Sequence, residues 1–356
     1  MKHWQETGQI LERVVRGGEA GRGLALATVT AIVGSAYRRP GAKLLIEDDG
    51  AVHGGVSGGC LEEDVRQVGI KVLHSGRTRL LHYATGDDEA NVWGFGLGCD
   101  GQIDILVQPI PAQAACSVWR QVRDLLHADS PFALATPLEE GGPGRVLVVG
   151  EAGRLAGEAD PQLEAAAVAA LRAERSSRQA LGSRSVFTEV LLPPPKLVVC
   201  GAGDDAGPLV RFAAAAGFRV VVVDHRSHYL APERVADAWR RLLLRPEEAG
   251  ELPVGRDSYA VVMTHSLKRD TEWVRRLVAT DVSYIGVLGP RARTARILEE
   301  VGARARGRVF GPVGLDLGAD GPEQVALSIV AELLAVRSGR EPRHLREREI
   351  ALHAQH

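Results

Sequence analysis

The sequence predicts an α/β protein in two parts: an N-terminal α+β domain with a partial internal repeat, and a C-terminal doubly wound parallel sheet. Three observations carry this. After the triple proline at 193–195, unbroken apolar runs ("KLVVC", "FRVVVVD", "YAVVMTH", "SYIGVLG") are separated by helical segments, as in a sheet covered on both faces. The first of these runs ends in Gly201-Ala202-Gly203-Asp204-Asp205-Ala206, a Gly-x-Gly-x-x-Ala turn opening a helix, which marks a Rossmann-like unit. In the first half, "LALAT" (24–28) recurs as "FALAT" (132–136), and "GAKLLIEDDGAVHGG" recurs as "GRVLVVGEAGRLAGE" with its glycines in register.

Taken in order, "MKHWQETGQILERVV" reads as an amphipathic helix rather than a signal peptide. "GLALATVTAIVG", "AKLLIEDDGAVHGG" and "RLLHYATG" read as strands and hairpins, with Asp48-Asp49-Gly50 as a turn. A helix is expected from Cys60, with Leu61, Val65, Val68 and Val72 on one face and Gly76 as its stop. "GQIDILVQPI" alternates apolar and polar residues like a half-buried strand. A second strand–strand–helix unit follows, ending in "LEAAAVAALRAE". The domains are placed at 1–192 and 196–336, joined by 193–195, with a charged tail at 337–356.

Bulk properties exclude several functions. A chain of 356 residues with 45% hydrophobic and 25% charged residues suits a globular protein of two domains. A formal net charge of -2 recruits neither nucleic acid nor an anionic membrane, and no apolar run is long enough to span a bilayer. The four cysteines are too few and scattered for a disulfide framework and lack zinc spacing, so a cytoplasmic setting is expected.

Two places carry candidate chemistry. In "GGVSGGCLEEDV" (54–65), Gly58 and Gly59 remove side chains directly before Cys60. A cysteine at a helix start is favoured as thiolate by the helix dipole, opposed here by Glu62, Glu63 and Asp64. Inert burial of Cys60 is the competing reading. The second unit's connection, "ADPQ", lacks both the glycine pair and the thiol, which turns the explanation of this loop towards function. Cys99 lies in another glycine-rich stretch, whereas Cys116 and Cys200 read as core. In the C-terminal half, Gly201 and Gly203 would approach a pyrophosphate, and Asp224 would accept a ribose hydroxyl. Arg226 favours a 2′-phosphate instead, and Asp204 and Asp205 oppose any phosphate. Thr264 and His265 are expected to face the same crevice, with a helix cap or a solvated loop histidine as the competing reading of His265; Arg291 and Arg293 fit an anion site, with a solvated first turn as the simpler reading.

The ordered motifs "GSAYRRPGAKLLIEDDGAVHGGVSGGCLEEDV", "GCDGQIDILVQP", "VVCGAGDDAGPLVRF", "MTHSLKRD", "YIGVLGPRARTARIL" and "GLDLGADGPEQVALSIVAEL" resemble the XdhC/CoxI family, accessory proteins of molybdenum hydroxylase maturation. The resemblance implies a chaperone that binds molybdenum cofactor, protects it during sulfuration and hands it to the apo-enzyme. It implies that Cys60 contacts the cofactor or its metal, with Ser57, Gly58, Gly59 and Glu62 around it; on chemical grounds the glycine amides are expected to hold the phosphate or pterin edge. Cys99 matches a second cysteine motif. Asp204 and Pro290 depart from the family pattern, where histidine and serine are expected. The implied partners are an apo-molybdenum hydroxylase and a cysteine desulfurase, with a homodimer as the assembly. The alternative is an NAD(P)-dependent oxidoreductase using Cys60 or His265 beside a Rossmann-bound cofactor.

Overall fold

A computed structural model describes residues 2–34, 38–84, 101–302 and 307–347. The chain divides into two compact units, residues 2–193 and 194–347.

The first unit contains α1 (Lys2–Glu19), β1 (Leu24–Gly34), β2 (Lys43–Glu47), β3 (Val52–Gly54), α2 (Glu62–Ser75), β4 (Arg79–Ala84) and β5 (Gly101–Ile110). The same sequence of elements then repeats as α3 (Ala112–His127), β6 (Phe132–Pro137), β7 (Leu147–Gly150), β8 (Gly153–Ala156), α4 (Pro161–Arg172), β9 (Ser177–Leu181) and β10 (Arg184–Leu191). The two sheets have strand orders β3-β2-β1-β5-β4 and β8-β7-β6-β10-β9, which are the same order written twice. The repeat expected from the sequence is therefore a repeat of topology.

Glycines hold the two copies in register. Gly54 and Gly157 both have φ +94°, and a Cβ on either would lie 2.4 Å from a carbonyl oxygen, that of Lys43 or Val146. Only glycine fits that backbone and that contact. Helices α1 and α3 pack together over both sheets, with Trp4, Leu11, Val15, Trp119 and Val122 meeting Leu26, Leu45, Phe132 and Leu134. Helix α2 covers the first sheet's other face through Leu61, Val65 and Val72, and α4 covers the second through Leu163, Ala167 and Leu171.

Strand β5 departs from its half-buried expectation, because Ile105, Leu106, Val107 and Gln108 are all buried. It lies between β1 and β4 with apolar clusters on both faces, so its polar Gln108 is interior.

A buried ion pair ties the copies to each other. Lys43 on β2 lies 2.6 Å from both carboxylate oxygens of Glu189 on β10, and each residue is 3% exposed. Register places Glu189 opposite Leu134 as it places Gln108 opposite Leu26, and the glycine contacts equate Lys43 with Val146. The reciprocal position thus carries Val146 and Gln108: the charge is gone from both members together.

The second unit contains β11 (Lys196–Cys200), α5 (Ala206–Ala215), β12 (Arg219–Asp224), β13 (Arg240–Leu243), β14 (Ser258–Val262), α6 (Leu267–Val278), β15 (Tyr284–Val287), α7 (Arg291–Val301), β16 (Val309–Phe310) and α8 (Pro322–Ser338). Its six parallel strands run β13-β12-β11-β14-β15-β16, with β11 and β14 side by side at the switch point. Apolar side chains fill both faces of this sheet. Cys200 is fully buried, and that burial pushes its thiol pKa up, as a core residue requires.

Candidate functional site

The glycine–cysteine loop follows β3, and its geometry turns on Ser57. The Ser57 hydroxyl accepts from the backbone N–H groups of Gly59, Cys60 and Leu61, each at 3.1 Å. It donates to the Glu62 carboxylate, which also accepts from the N–H of Ser57 at 2.8 Å and of Val56 at 3.2 Å. The helix begins at Glu62, two residues later than the sequence implied. Burial alone would raise the Glu62 pKa, but the bonds from Ser57 and Val56 outweigh it and hold the carboxyl below its usual range.

Cys60 is half-buried at the margin of the apolar cluster under α2. Its Sγ lies 3.5 Å from Ser57 Oγ, so a thiol–hydroxyl–carboxylate line runs Cys60, Ser57, Glu62. Gly58 and Gly59 are exposed, and a Cβ on Gly59 would meet nothing within 4 Å. The glycines thus leave clear space beside the thiol. Their amides do not all face that space, because those of Gly59 and Cys60 turn inward to Ser57. This departs from an anion cradle, in which the N–H groups point at the ligand.

The acidic run after Cys60 is also occupied. Glu63 bonds Arg66 and Gln67, and Asp64 accepts from the Tyr83 hydroxyl on β4. Burial and that carboxylate together raise the Tyr83 pKa. Tyr83 carried no signal in the sequence, since its partner is 19 residues away on another element. Cys99 and the rest of 85–100 lie outside the described residues, as does the side chain of Cys116. Among the described residues no group of three or more His, Cys, Asp or Glu could hold a metal ion.

In the second unit the predicted crevice residues do come together at the carboxyl ends of β11, β12 and β14, but they bind one another. Gly201 has φ +111°, and a Cβ there would lie 2.6 Å from the Met263 oxygen, so the neighbouring strand itself demands this glycine. The open side of Gly203 faces the His265 ring at 3.6 Å. His265 has φ +60°, and its Nε2 lies 3.5 Å from Asp205. Asp204 pairs with Arg234 at 2.6 Å. Both aspartates that opposed a phosphate thus have partners of their own.

Asp224, the expected ribose acceptor, is buried and saturated. One oxygen accepts from the Arg226 backbone and Nε, with His225 Nδ1 at 3.1 Å; the other accepts from Ala202 N–H and the Arg226 guanidinium. Burial would raise its pKa, but Arg226 and the two N–H groups draw it down to about 2. Arg226 also lies 3.8 Å over Tyr229, so its charge is turned to Asp224 rather than held out for a 2′-phosphate. Thr264 is bonded to the buried Asp270, and Arg293 bonds the same carboxylate at 3.0 Å through Nε. The arginine read as an anion-site candidate is instead a strut between α6 and α7.

The chain matches the family described as XdhC and CoxI over residues 18–84, and the XdhC Rossmann domain over residues 197–333. A protein of Bacillus subtilis (strain 168), named as a probable subunit of xanthine dehydrogenase, is 32% identical over 315 residues, covering 88% of this chain and 92% of that one. The chain belongs to the XdhC and CoxI family. A second family relative, the molybdenum cofactor insertion chaperone PaoD of Escherichia coli (strain K12), is 25% identical over 96% of this chain and 94% of its own. A crystal structure described as a xanthine dehydrogenase from Bacillus halodurans superposes with a TM-score of 0.76 at 28% identity, covering 93% of this chain and 96% of that one. The family match at 18–84 contains Ser57, Gly58, Gly59, Cys60 and Glu62, and the match at 197–333 contains Gly201, Gly203, Asp224, Thr264 and His265.

Proposed function

We propose that this chain is a molybdenum cofactor chaperone that takes the cofactor as cargo at the 56–62 loop, shelters it through sulfuration and delivers it to an apo-molybdenum hydroxylase. The observation that carries the reading is the Cys60 thiol, half-buried beside exposed Gly58 and Gly59 and hydrogen-bonded towards Ser57 and Glu62. The relative named as an insertion chaperone supports it.

The donor set fits such cargo. A thiolate suits a soft metal or its sulfur, and the cofactor supplies a dithiolene-bound molybdenum on a pterin phosphate. When Cys60 engages, its proton leaves with solvent or cargo, and Ser57 Oγ stands 3.5 Å from the sulfur. The clear space over Gly59 admits a flat pterin face, and the inward amides of Gly59 and Cys60 leave phosphate recognition to other groups. The desulfurase and the recipient hydroxylase are the partners this role requires, and a homodimer is the assembly expected for it. NAD(P) in the C-terminal crevice has less support, because Asp224 has no oxygen free to receive a ribose.

The test is Cys60→Ala in the full chain, titrated with released molybdenum cofactor and assayed for activation of an apo-hydroxylase. Loss of both is expected, and Glu62→Gln should weaken cofactor binding on the order of tenfold as an outer partner of the thiol. Unchanged binding and activation in Cys60→Ala would sink the proposal.

A further inference from the structure

We propose that the outer face of α8 is the surface on which two copies of this chain pair, with the two helices antiparallel about a two-fold axis near Ala331. One side of α8 is core: Ala326, Ile329, Val330 and Leu333 belong to the apolar cluster shared with α5 and the sheet. The opposite side is apolar as well. Leu327 is 51% and Leu334 38% exposed, with Ala331 half-buried between them. A helix that is apolar all round is normally buried all round. Leu317, Val336 and Leu345, on or close to α8, are exposed too, and among the other described residues of the second unit only Trp239 and Leu243 are comparable.

The spacing along this face is that of a helix seam. Gln324, Leu327, Ala331, Leu334 and Ser338 recur at alternating intervals of three and four, as in a two-helix coil. The small side chain of Ala331 stands at the middle, where two helix backbones can approach closely. Leu317 widens the patch beyond one helix. Leu315 is held to Ser328 of α8 through both its N–H and its carbonyl, which fixes the loop carrying Leu317 beside the helix.

Charge selects a second copy as the occupant and sets its direction. Glu323 lies in the first turn of α8 and Arg337 in the last, about 21 Å apart along the axis. Neither is in an ion pair among the described residues. At about 3.6 residues per turn, both project from the same flank of the seam. A two-fold interface is self-complementary, placing residue i against j and j against i. With Ala331 of both copies at the axis, Leu327 meets the partner's Leu334, and Glu323 lies beside the partner's Arg337. Each contact is made twice. Parallel helices would instead bring glutamate to glutamate and arginine to arginine. This surface gives the expected homodimer a location and rests on α8 alone: a monomer would leave the Cys60 reading intact, and failure of that reading would leave the pairing intact.

The test is sedimentation equilibrium of the full chain, which is expected to show a dimer at micromolar concentration. Leu334→Glu, at an exposed position, should leave a monomer at the same concentration with unchanged circular dichroism. Glu323→Arg and Arg337→Glu should each weaken the dimer at least about tenfold, because two attractive contacts become two repulsive ones. An equimolar mixture of those two variants should dimerise again at close to the strength of the unaltered chain, since every charge then meets its opposite. Antiparallel pairing of two copies predicts that rescue, whereas a contact within one chain does not. A chain that stays monomeric into the hundred-micromolar range, a dimer that survives Leu334→Glu, or a mixture no tighter than either variant alone overturns the proposal.

Discussion

Replacing Glu189 by Gln would strand the Lys43 ammonium in the interior. Both residues are 3% exposed, and Lys43 Nζ bonds Glu189 at 2.6 Å and the Gly41 carbonyl at 2.9 Å. Removing one member of a buried pair costs about 3–5 kcal/mol, because the other charge stays out of water without compensation. The protein also contains the remedy, since the reciprocal position holds valine and glutamine in the same backbone setting. Adding Lys43→Val to Glu189→Gln copies that arrangement and should recover all but about 1–2 kcal/mol. The coupling between the two substitutions is then about 2 kcal/mol or more. Urea unfolding read by hydrogen exchange in β2 and β10 follows this unit separately from the other. A single variant that loses less than about 1 kcal/mol, or a double variant no more stable than the single, would refute the reasoning.

Three further outcomes follow from the same geometry. Asp224 has its pKa drawn down to about 2, so the stability it contributes is present above its unfolded pKa and is lost as pH falls from near 4 towards 2. The shift is worth about 2 kcal/mol, and Asp224→Asn should flatten that acid limb in a pH series of chemical denaturation. Gly54→Ala and Gly157→Ala should each cost about 2–3 kcal/mol, since both force a positive φ and a clash with a carbonyl, whereas Gly76→Ala, with φ +62° and open space, should cost about 1 kcal/mol. Thermal melts rank the three, and equal losses would contradict the contact argument. Ser57→Ala should remove about 1 kcal/mol through the lost turn hydrogen bonds and move the Glu62 pKa upward, read by carboxyl NMR. An unmoved Glu62 would show that Ser57 is not its main support.

What the sequence revealed follows the range of each interaction. The glycines at 54 and 157 were legible because a positive φ leaves a local mark, and the parallel sheet because its strands are apolar throughout. The ion pair was hidden, because Lys43 and Glu189 are 146 residues apart and each reads alone as an ordinary surface charge. The burial of β5 was hidden for a related reason: alternation records one covered face, and here packing covers the second. In the crevice the residues were expected side by side, yet their mutual bonds were not visible. Asp224 and Arg226 are two residues apart and satisfy each other, which motif spacing does not disclose. Ser57 stood out only as a neighbour of Cys60, while its role as acceptor for three amides depends on the fold of the turn.

The reciprocal packing of the two copies has a consequence for how such a protein can change over time. Were the copies separate chains paired about a symmetry axis, every substitution would appear twice, and both cross-contacts would have to be lysine with glutamate or both valine with glutamine. Joined in one polypeptide, the halves are released from that constraint. One carries the lysine of the charged tie and a thiol in its connecting loop, while the other carries the glutamate, with Val146 where the lysine would stand and no thiol in its loop. Covalent linkage is what permits the asymmetry, so a single gene can assign different duties to two copies of one architecture.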